Sequence, residues 1–280
     1  MVAVADLSRP ALEALQAPYH IGTVTLRVTD LPGLTAFYRD GIGLTVIAET
    51  ADAADLGVDG EVLVRLERGA TRPASAAGLF HLAILLPSRA DLADWLGHAA
   101  AIQLPLEGAS DHLVSEAIYL SDPEGNGIEI YADRPPQEWR WRDGLVEMAT
   151  DALDVPALIA SGGENDWQGF PTGSTVGHVH LQVGSLAPAE EFYAGVLGLE
   201  VTCRYPGGIF YAAGSYHHHI ATNIWNSRGA PVRTPSTGLA EVEILAPPET
   251  LDAIGTRAGQ PADARLTLLD PWGTPITIAG

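Results

Sequence analysis

The amino-acid sequence predicts an α+β protein built from four βαβββ modules, and an internal repeat is the main observation behind this prediction. Residues 28–46 and residues 183–201 match at seven positions without a gap. Two more blocks repeat in the same order, GLFHLAILLP (78–87) with GLAEVEILAP (238–247) and DPEGNGIEI (122–130) with DPWGTPITI (270–278). Because three blocks recur in order, the two halves of the chain are expected to share one layout.

Each module is predicted to begin with a strand, because polar and apolar residues alternate there. These four strands are Gly22–Val28, Phe80–Leu86, Gly177–Val183 and Leu239–Leu245. In the first and third modules a helix follows, predicted from the apolar stripes around Tyr38 and Tyr193 and ended by Gly43 or Gly198. Short strands are then expected, for example over Gly60–Glu67, Ala117–Ser121 and Gly127–Ala132.

The modules are expected to form two pairs, at residues 18–135 and 174–280, joined by a connector at 136–173. The connector is rich in Pro, Trp, Asp and Gly and lacks sustained alternation, and a short helix is expected around Leu145–Leu158. A connector of this length allows modules to pair across the two halves.

Composition limits the class of protein. The 280 residues are 46% hydrophobic and 18% charged, which excludes disorder, a coiled coil and a collagen-like chain. The formal charge of −20 disfavours nucleic acid as a partner. The longest apolar runs reach about half of the ~20 residues that a membrane span needs. The first residues lack the basic start and apolar core of a signal peptide, and the single cysteine, Cys203, excludes an internal disulfide. These features predict a soluble, cytoplasmic protein that binds neither nucleic acid nor membrane.

Three side chains capable of binding a metal lie in apolar strand sequences of the second and third modules. They are His81 in GLFHLAILL, Glu129 in GNGIEIY and His178 in VGHVHLQV. Burying an imidazole or a carboxylate is costly unless the group is paired or bound to a metal. Two imidazoles and one carboxylate form the facial triad of non-haem Fe(II) enzymes. A single strand histidine is more often an ordinary core or rim residue, so the joint placement carries the prediction.

Other histidines accompany these three. His180 shares a strand face with His178 and is a candidate to orient that residue or the substrate. In the triplet 217–219, strand alternation would place His217 and His219 on one face and His218 on the other. The three members are therefore not expected to serve one site together.

These blocks resemble the vicinal-oxygen-chelate superfamily, and more closely its type I extradiol ring-cleaving dioxygenases of the catechol 2,3-dioxygenase kind. The resemblance covers residues 18–135 and 174–280. It is carried by DHLVSEAIYLSDPEGNGIEIYADRP (111–135), GHVHL (177–181) and YHHHIATN (216–223). It implies two open barrel-like mixed sheets, an Fe(II) cofactor, with Mn(II) as the alternative, and cleavage of a catechol-type ring by O2 to a ring-opened semialdehyde. The implied partners are a small aromatic diol and O2.

The resemblance implies that His81, Glu129 and His178 are the metal ligands. The corresponding positions of the first and fourth modules carry Thr23, Glu241 and Thr277. Only pairing of the second module with the third completes two histidines and one carboxylate. We therefore expect one metal site across the two halves, with His178 within about 5 Å of the Glu129 carboxylate, because metal–ligand bonds are ~2.0–2.2 Å long.

The resemblance also implies acid–base residues around this site. His218, in His218-His219-Ile220-Ala221, resembles the family's catalytic histidine, and His112 and Tyr119 resemble the pair that holds the catechol oxygens. His180 and His219 are predicted to orient a ligand or to contact the substrate.

Two alternatives remain open at the level of the sequence. One is a glyoxalase-like or thiol-transferase metalloenzyme of the same fold, although glyoxalase-type sites use four protein ligands. The other is a metal-free protein that sequesters a flat drug, with Trp139, Trp141 and Trp225 lining a groove. A homo-oligomer is expected because acidic enzymes with exposed strand edges commonly self-associate.

Overall fold

The computed structural model describes residues 14, 17–69, 77–163, 167–234, 236–261 and 263–280. The strands are β1 (His20–Val28), β2 (Thr45–Glu49), β3 (Ala53–Val58), β4 (Glu61–Arg68), β5 (Gly78–Leu86), β6 (Gly108–Asp111), β7 (Ser115–Ser121), β8 (Gly127–Asp133), β9 (Trp141–Arg142), β10 (Leu145–Val146), β11 (Asp151–Ala152), β12 (Thr175–Gln182), β13 (Glu200–Tyr205), β14 (Gly208–Ala212), β15 (Ile220–Asn223), β16 (Gly238–Leu245), β17 (Arg265–Leu269) and β18 (Pro275–Ala279). The α-helices are α1 (Leu31–Ala36), α2 (Arg89–Ala101), α3 (Val155–Ile159), α4 (Leu186–Glu190) and α5 (Pro248–Ala258). Short π-helical turns over Phe37–Ile42 and Glu191–Val196 extend α1 and α4, and a 3₁₀ turn covers Pro136–Glu138.

Two curled, mixed sheets dominate the described residues, which confirms the predicted α+β class. One sheet has the strand order β17-β18-β16-β1-β4-β3-β2 and combines the first and fourth modules. The other has the order β11-β6-β7-β8-β5-β12-β15-β14-β13 and combines the second and third modules. Each sheet therefore takes strands from both halves of the chain. The domain limits at 18–135, 136–173 and 174–280 stay a prediction.

The first strand of every module lies at the centre of its sheet. The first strands pair antiparallel across the halves, β5 with β12 and β1 with β16. Each also pairs parallel with the last strand of its own module, as β5 does with β8 and β12 with β15. Residues from three neighbouring strands therefore project from one face into the hollow of the curled sheet.

Two local expectations were wrong. After α5, the described part of the fourth module adds only β17 and β18, because the short link from Ala258 to Arg265 leaves no room for another strand. In the connector, the helix occupies only Val155–Ile159. Asp143 and Gly144 both have positive φ (52° and 79°) and turn the chain into the β9–β10 hairpin, which interrupts the expected helix.

The repeated sequence blocks correspond to a repeated contact between modules of the same half. The Tyr38 hydroxyl donates to Asp122 Oδ2 at 3.2 Å, and the Tyr193 hydroxyl donates to Asp270 Oδ2 at 3.1 Å. In both cases the other carboxylate oxygen accepts backbone N–H bonds within the following turn. All four side chains are buried. The Phe-Tyr and Asp-Pro blocks therefore repeat together, because each buried tyrosine hydroxyl requires the aspartate carboxylate as its hydrogen-bond acceptor.

We expect Asp122→Ala to lower the free energy of unfolding by about 1–3 kcal/mol, because the buried Tyr38 hydroxyl and the turn N–H groups lose their acceptor. Urea denaturation followed by circular dichroism measures this change. Asp270→Ala should have an effect of similar size. Asp52→Ala is the control, because this side chain is 88% exposed and its loss should cost at most about 0.5 kcal/mol. Equal stabilities of Asp122→Ala and Asp52→Ala would contradict the expectation.

Buried apolar side chains from both sheets and from the helices form the core. Trp95 of α2 is fully buried and donates its indole N–H to the Ile42 carbonyl at 3.0 Å. Cys203 is also buried, and burial raises the pKa of its thiol to about 11. Among the helices that the structure describes, none is both long and apolar enough to cross a membrane.

Candidate metal centre and active-site pocket

The hollow of the nine-stranded sheet contains a cavity of about 450 Å³. Seven of the eight site residues predicted from the sequence line this cavity, namely His81, His112, Tyr119, Glu129, His178, His180 and His218. The chain positions of these residues span both halves, so the pairing of the second module with the third assembles them.

Sheet register explains how three candidate ligands meet. Ala83 of β5 lies beside Glu129 of β8 on one side and beside His178 of β12 on the other. His81 is two residues before Ala83 and projects from the same face. The small alanine side chain leaves space between its larger neighbours. Each of the three larger residues offers one ligand atom, and these atoms lie within 4.8 Å of one another.

The Glu129 carboxylate is the centre of this group. His81 Nε2 lies 3.0 Å and His178 Nε2 lies 3.3 Å from the same oxygen, Glu129 Oε2. The His178 distance is within the limit expected from the sequence. The side chains are 8%, 2% and 2% exposed for His81, His178 and Glu129, so bulk water is excluded from all three.

The donor set fits a divalent cation. The contact from His81 to Glu129 lacks hydrogen-bond geometry, and His81 Nε2 has no hydrogen-bond partner among the described residues. A buried nitrogen without a partner is costly, and a cation between the three groups would remove that cost. His178 Nδ1 also lacks a partner in the described part of the chain, and packing against Tyr131 and His218 holds the ring, with centroids 4.9 and 4.1 Å away.

The protonation states of two of these groups suit metal binding. Burial alone would raise the pKa of the Glu129 carboxyl, but His178 and His81 hold it well below its ordinary value. Burial lowers the pKa of His178 to about 4, against the opposing effect of Glu129. Near neutral pH this gives an anionic carboxylate beside a neutral imidazole, which are the forms that bind a metal.

His112 and Tyr119 form a hydrogen-bonded pair at the pocket. The Ala149 carbonyl accepts from His112 Nδ1 at 2.6 Å, so His112 Nε2 is left to accept from the Tyr119 hydroxyl at 2.5 Å. Burial and the negative charge of Glu129 raise the pKa of Tyr119 well above its ordinary value. Tyr119 is therefore a neutral phenol that donates to His112 and keeps its oxygen lone pairs for a ligand.

His218 belongs to a second hydrogen-bonded chain, which leads away from the pocket. Asp133 Oδ1 lies 2.7 Å from His217 Nε2, and His217 Nδ1 lies 2.7 Å from His218 Nδ1. Burial raises the pKa of the Asp133 carboxyl, and the neighbouring His217 opposes this rise. A carboxylate at Asp133 accepts from His217 Nε2–H, so His217 Nδ1 accepts from His218 Nδ1–H. This order leaves a lone pair on His218 Nε2. Burial lowers the pKa of His218 well below its ordinary value, which keeps the ring neutral.

Sequence reasoning missed Asp133 and His217. Asp133 is four residues after Glu129 in β8 and shares its strand face, and this spacing could have identified it. His217 was placed by strand alternation, which is wrong for residues 216–219. The chain turns at Gly214 (φ +67°) and becomes a strand only at Ile220, so His217 and His218 contact each other instead of pointing to opposite faces.

His219 is not brought to the pocket. Its Nδ1 accepts from the Ala213 N–H at 3.2 Å, and its Nε2 lies 3.3 Å from the Ala14 carbonyl. These contacts give the ring a structural role in holding neighbouring segments. No described contact joins it to the candidate ligands.

His180 is directly opposite His81 in the pairing of β12 with β5. The Asn223 side chain fixes its tautomer. Asn223 Oδ1 accepts from the Trp225 backbone N–H at 3.1 Å, so Asn223 Nδ2 is the group that donates to His180 Nε2 at 3.0 Å. His180 is therefore a neutral ring whose proton lies on Nδ1.

The seven-stranded sheet has the same arrangement without the ligands. Glu243 of β16 lies beside Thr277 of β18. These two residues correspond to Ala83 and Glu129, which are neighbours in the nine-stranded sheet. Arg265 extends into this hollow and lies 2.9 Å from Glu243 and 3.4 Å from Glu241. Among the described residues, the only group of three side chains able to hold a metal is the one in the nine-stranded sheet.

The fold and this ligand set define a superfamily. Residues 20–130 and 175–275 match the Glyoxalase/Bleomycin resistance protein/Dioxygenase superfamily, and the chain belongs to it. The chain is 41% identical over 252 residues to the catechol-2,3-dioxygenase of Bacillus subtilis (strain 168), covering 85% of this chain and 87% of that relative. These matches confirm the resemblance to the vicinal-oxygen-chelate superfamily and to its catechol 2,3-dioxygenases.

Solved structures agree on the fold. Glyoxalase I from Zea mays superposes with a TM-score of 0.55 at 14% identity, covering 95% of this chain and 94% of that one. The cppA protein from Streptococcus pneumoniae TIGR4 superposes with a TM-score of 0.56 at 10% identity, covering 93% of this chain and 98% of that one. At these identities the likeness concerns the fold alone.

Proposed function

We propose that this protein is an Fe(II)-dependent extradiol dioxygenase that cleaves a catechol-type ring beside its two hydroxyl groups. The observation that carries the proposal is the meeting of His81, Glu129 and His178 at one point of a pocket that His112 and His218 also line. The 41% identity to a catechol-2,3-dioxygenase supports the same reaction. A glyoxalase-type centre with four protein ligands has less support, because the described group has three members.

The reaction is an addition of O2 in which all atoms of both substrates are kept. The ring C–C bond next to the diol breaks, one oxygen atom becomes part of a carboxyl group and the other becomes the aldehyde oxygen, and O2 is the oxidant. Held by His81, Glu129 and His178, Fe(II) would supply the Lewis acid and the redox centre, and Mn(II) is the alternative with the same ligand preference.

Tyr119 and His112 handle a proton of the diol. The Tyr119 oxygen can accept a hydrogen bond from one substrate hydroxyl while its own proton points to His112 Nε2. As the substrate gives up its proton to Tyr119, the phenol proton moves to His112. The Ala149 carbonyl holds the other His112 nitrogen, so the ring is already oriented for this transfer.

His218 provides the second acid–base group. Its Nε2 lone pair accepts a proton, and the resulting imidazolium is stabilised through His217 by the buried Asp133 carboxylate. The imidazolium then returns the proton to the product as the ring opens. General acid–base groups of this kind contribute about 10²–10⁴-fold to a rate.

We also propose a cytoplasmic homo-oligomer whose partners are a small aromatic diol and O2. The buried, uncrosslinked Cys203 is compatible with a reducing compartment. In the described residues, β13 and β2 lie at sheet edges and offer unpaired backbone groups for self-association.

Protein purified without oxygen should contain about one iron per chain and, with catechol, should consume one O2 per substrate while a yellow semialdehyde forms. Metal analysis, an oxygen electrode and absorbance spectroscopy measure the three quantities. Protein stripped by a chelator is the control and should regain activity when Fe(II) is returned. Iron-loaded protein that leaves both catechol and alkylcatechols unchanged would exclude the proposal.

A further inference from the structure

The candidate pocket is larger than a catechol ring requires. Its volume of about 450 Å³ is in the range of sites for drug-sized ligands, whereas catechol is a single six-membered ring with two hydroxyl groups. Its surface beyond the candidate ligands therefore faces whatever substituents the ring carries, and the chemistry of that surface determines which substituents are accepted.

One side of the pocket is an aromatic wall, formed by Phe80, His180, Tyr205, Phe210 and Trp225. Phe80 packs edge-on against Trp225 with centroids 5.4 Å apart, and His180 lies 5.3 Å from Trp225 and 5.7 Å from Phe210. Trp225 is 43% exposed, which places it at the mouth of the pocket. Its indole N–H donates to the Pro206 carbonyl at 2.8 Å, so the ring is oriented before substrate arrives.

The described residues that line the pocket offer no counter-ion for an acidic substituent. The chain contains no lysine, and no arginine is among the described residues that line the cavity. Apart from the histidines, Tyr119 and Glu129, the polar lining groups are the hydroxyls of Ser110, Ser115, Thr150 and Tyr205 and the indole N–H of Trp225, and none of these is a cation. A carboxylate on the substrate would lose its hydration without gaining a charged partner, which is strongly unfavourable. The formal charge of −20 also repels an anion from the protein as a whole.

His180 does not supply the missing cation. Because Asn223 donates to His180 Nε2, that nitrogen must be unprotonated, and the ring presents a neutral Nδ1–H. The aromatic wall therefore supplies no cation, and the polar groups that it leaves for a ligand are His180 Nδ1–H and the Tyr205 hydroxyl.

We propose that the site is built for uncharged catechols that carry an apolar alkyl or aryl substituent against the aromatic wall, and that it rejects carboxylated catechols. This inference rests on the proposed function, since it assumes that the diol binds at the His81, Glu129 and His178 group.

The test compares catechol, 4-ethylcatechol and 3,4-dihydroxyphenylacetate with the iron-loaded full-length protein. The kcat/KM for 4-ethylcatechol should exceed that for catechol by about 10-fold, as expected for burying two carbons. The kcat/KM for the acid should be lower than that for 4-ethylcatechol by at least about 100-fold. Anaerobic calorimetry should give the same order of affinities without turnover. Similar values for the acid and 4-ethylcatechol would overturn the inference.

Two variants of the wall refine the test. Trp225→Ala should remove most of the preference for 4-ethylcatechol over catechol, through KM more than kcat. Trp225→Arg should improve kcat/KM for the acid relative to 4-ethylcatechol, because it adds a cation at the mouth. Trp141→Ala is the matched control, since Trp141 is 42% exposed and does not line the cavity, and it should leave both preferences unchanged. Unchanged preferences in both Trp225 variants would contradict the role of the wall.

Failure of this inference differs from failure of the proposed function. If catechol and 4-ethylcatechol are cleaved but the acid is cleaved equally well, the dioxygenase assignment stands and the substrate class is wrong. If none of the catechols is cleaved, the proposed function fails. If anaerobic calorimetry also shows tighter binding of 3,4-dihydroxyphenylacetate than of 4-ethylcatechol, the proposed preference for uncharged substituents fails as well.

Discussion

Glu129→Gln is expected to remove both the bound metal and ring cleavage. Glu129 Oε2 is the atom that both His81 Nε2 and His178 Nε2 approach, and glutamine keeps the shape of the side chain while losing its negative charge. A divalent cation would then be held by two imidazoles and an amide oxygen, without a charged ligand. Metal per chain should fall from about one to nearly zero. Loss of a residue that only supports a metal ligand costs up to about 100-fold, so loss of a ligand itself should lower oxygen uptake by more than about 100-fold. Plasma mass spectrometry and an oxygen electrode measure these quantities.

Glu241→Gln provides a matched control in the other sheet. Glu241 lies on β16 at the position that corresponds to His81, and its carboxylate contacts Arg265 instead of a ligand group. This variant should keep the metal and the activity of the parent protein. Circular dichroism and a thermal melt check that both variants fold. If Glu129→Gln retained about one metal per chain, the metal would have to lie elsewhere and the proposed centre would be wrong.

The grouping of His81, Glu129 and His178 was accessible from sequence because strands have a strict period of two. An imidazole or carboxylate within an otherwise apolar strand identifies a face, and the repeat of modules indicates which strands are equivalent. The resemblance to the vicinal-oxygen-chelate superfamily implied which strand positions of two paired modules supply the ligands, and Thr23 and Thr277 in the other modules then limited the pairing that completes the group. The sheet order and the register around Ala83 bring these residues together as that reasoning required.

The contacts of His217 and the shape of the connector could not be obtained in this way. Strand alternation was applied to residues 216–219, which lie outside a strand, so the contact between His217 and His218 was not foreseen. The Asp143-Gly144 turn was a sequence signal for a hairpin, and the prediction of a helix around Leu145–Leu158 did not use it. The aromatic wall joins Phe80 to Trp225, which are far apart in sequence, and only tertiary packing brings them into contact.

His218→Ala is expected to keep the metal and slow turnover by about 10²–10⁴-fold, the range for loss of an acid–base group. His218 lines the pocket beside His178 but offers no atom to the candidate metal group, so the ligands stay in place. The KM should change little because the residue acts on protons and not on anchoring the diol. Metal analysis and single-turnover kinetics separate the two effects. Full turnover by this variant would exclude the role of His218.

Asp133→Asn tests how the buried chain prepares His218. An asparagine amide can donate to His217 Nε2, which moves the His217 proton to Nδ1 and reverses the hydrogen bond to His218. His218 would then carry its resting proton on Nε2, so this nitrogen would have no lone pair with which to act as a base. In comparable hydrogen-bonded catalytic chains, a histidine held in the wrong tautomer lowers kcat. We expect kcat to fall by at least about 10-fold at unchanged KM and metal content. Asp52→Asn, on an exposed side chain, should leave kcat unchanged. A different result is that His218→Ala is slow while Asp133→Asn keeps full activity. The tautomer of His218 would then not depend on the charge of Asp133, and His218 would act without the hydrogen bonds through His217.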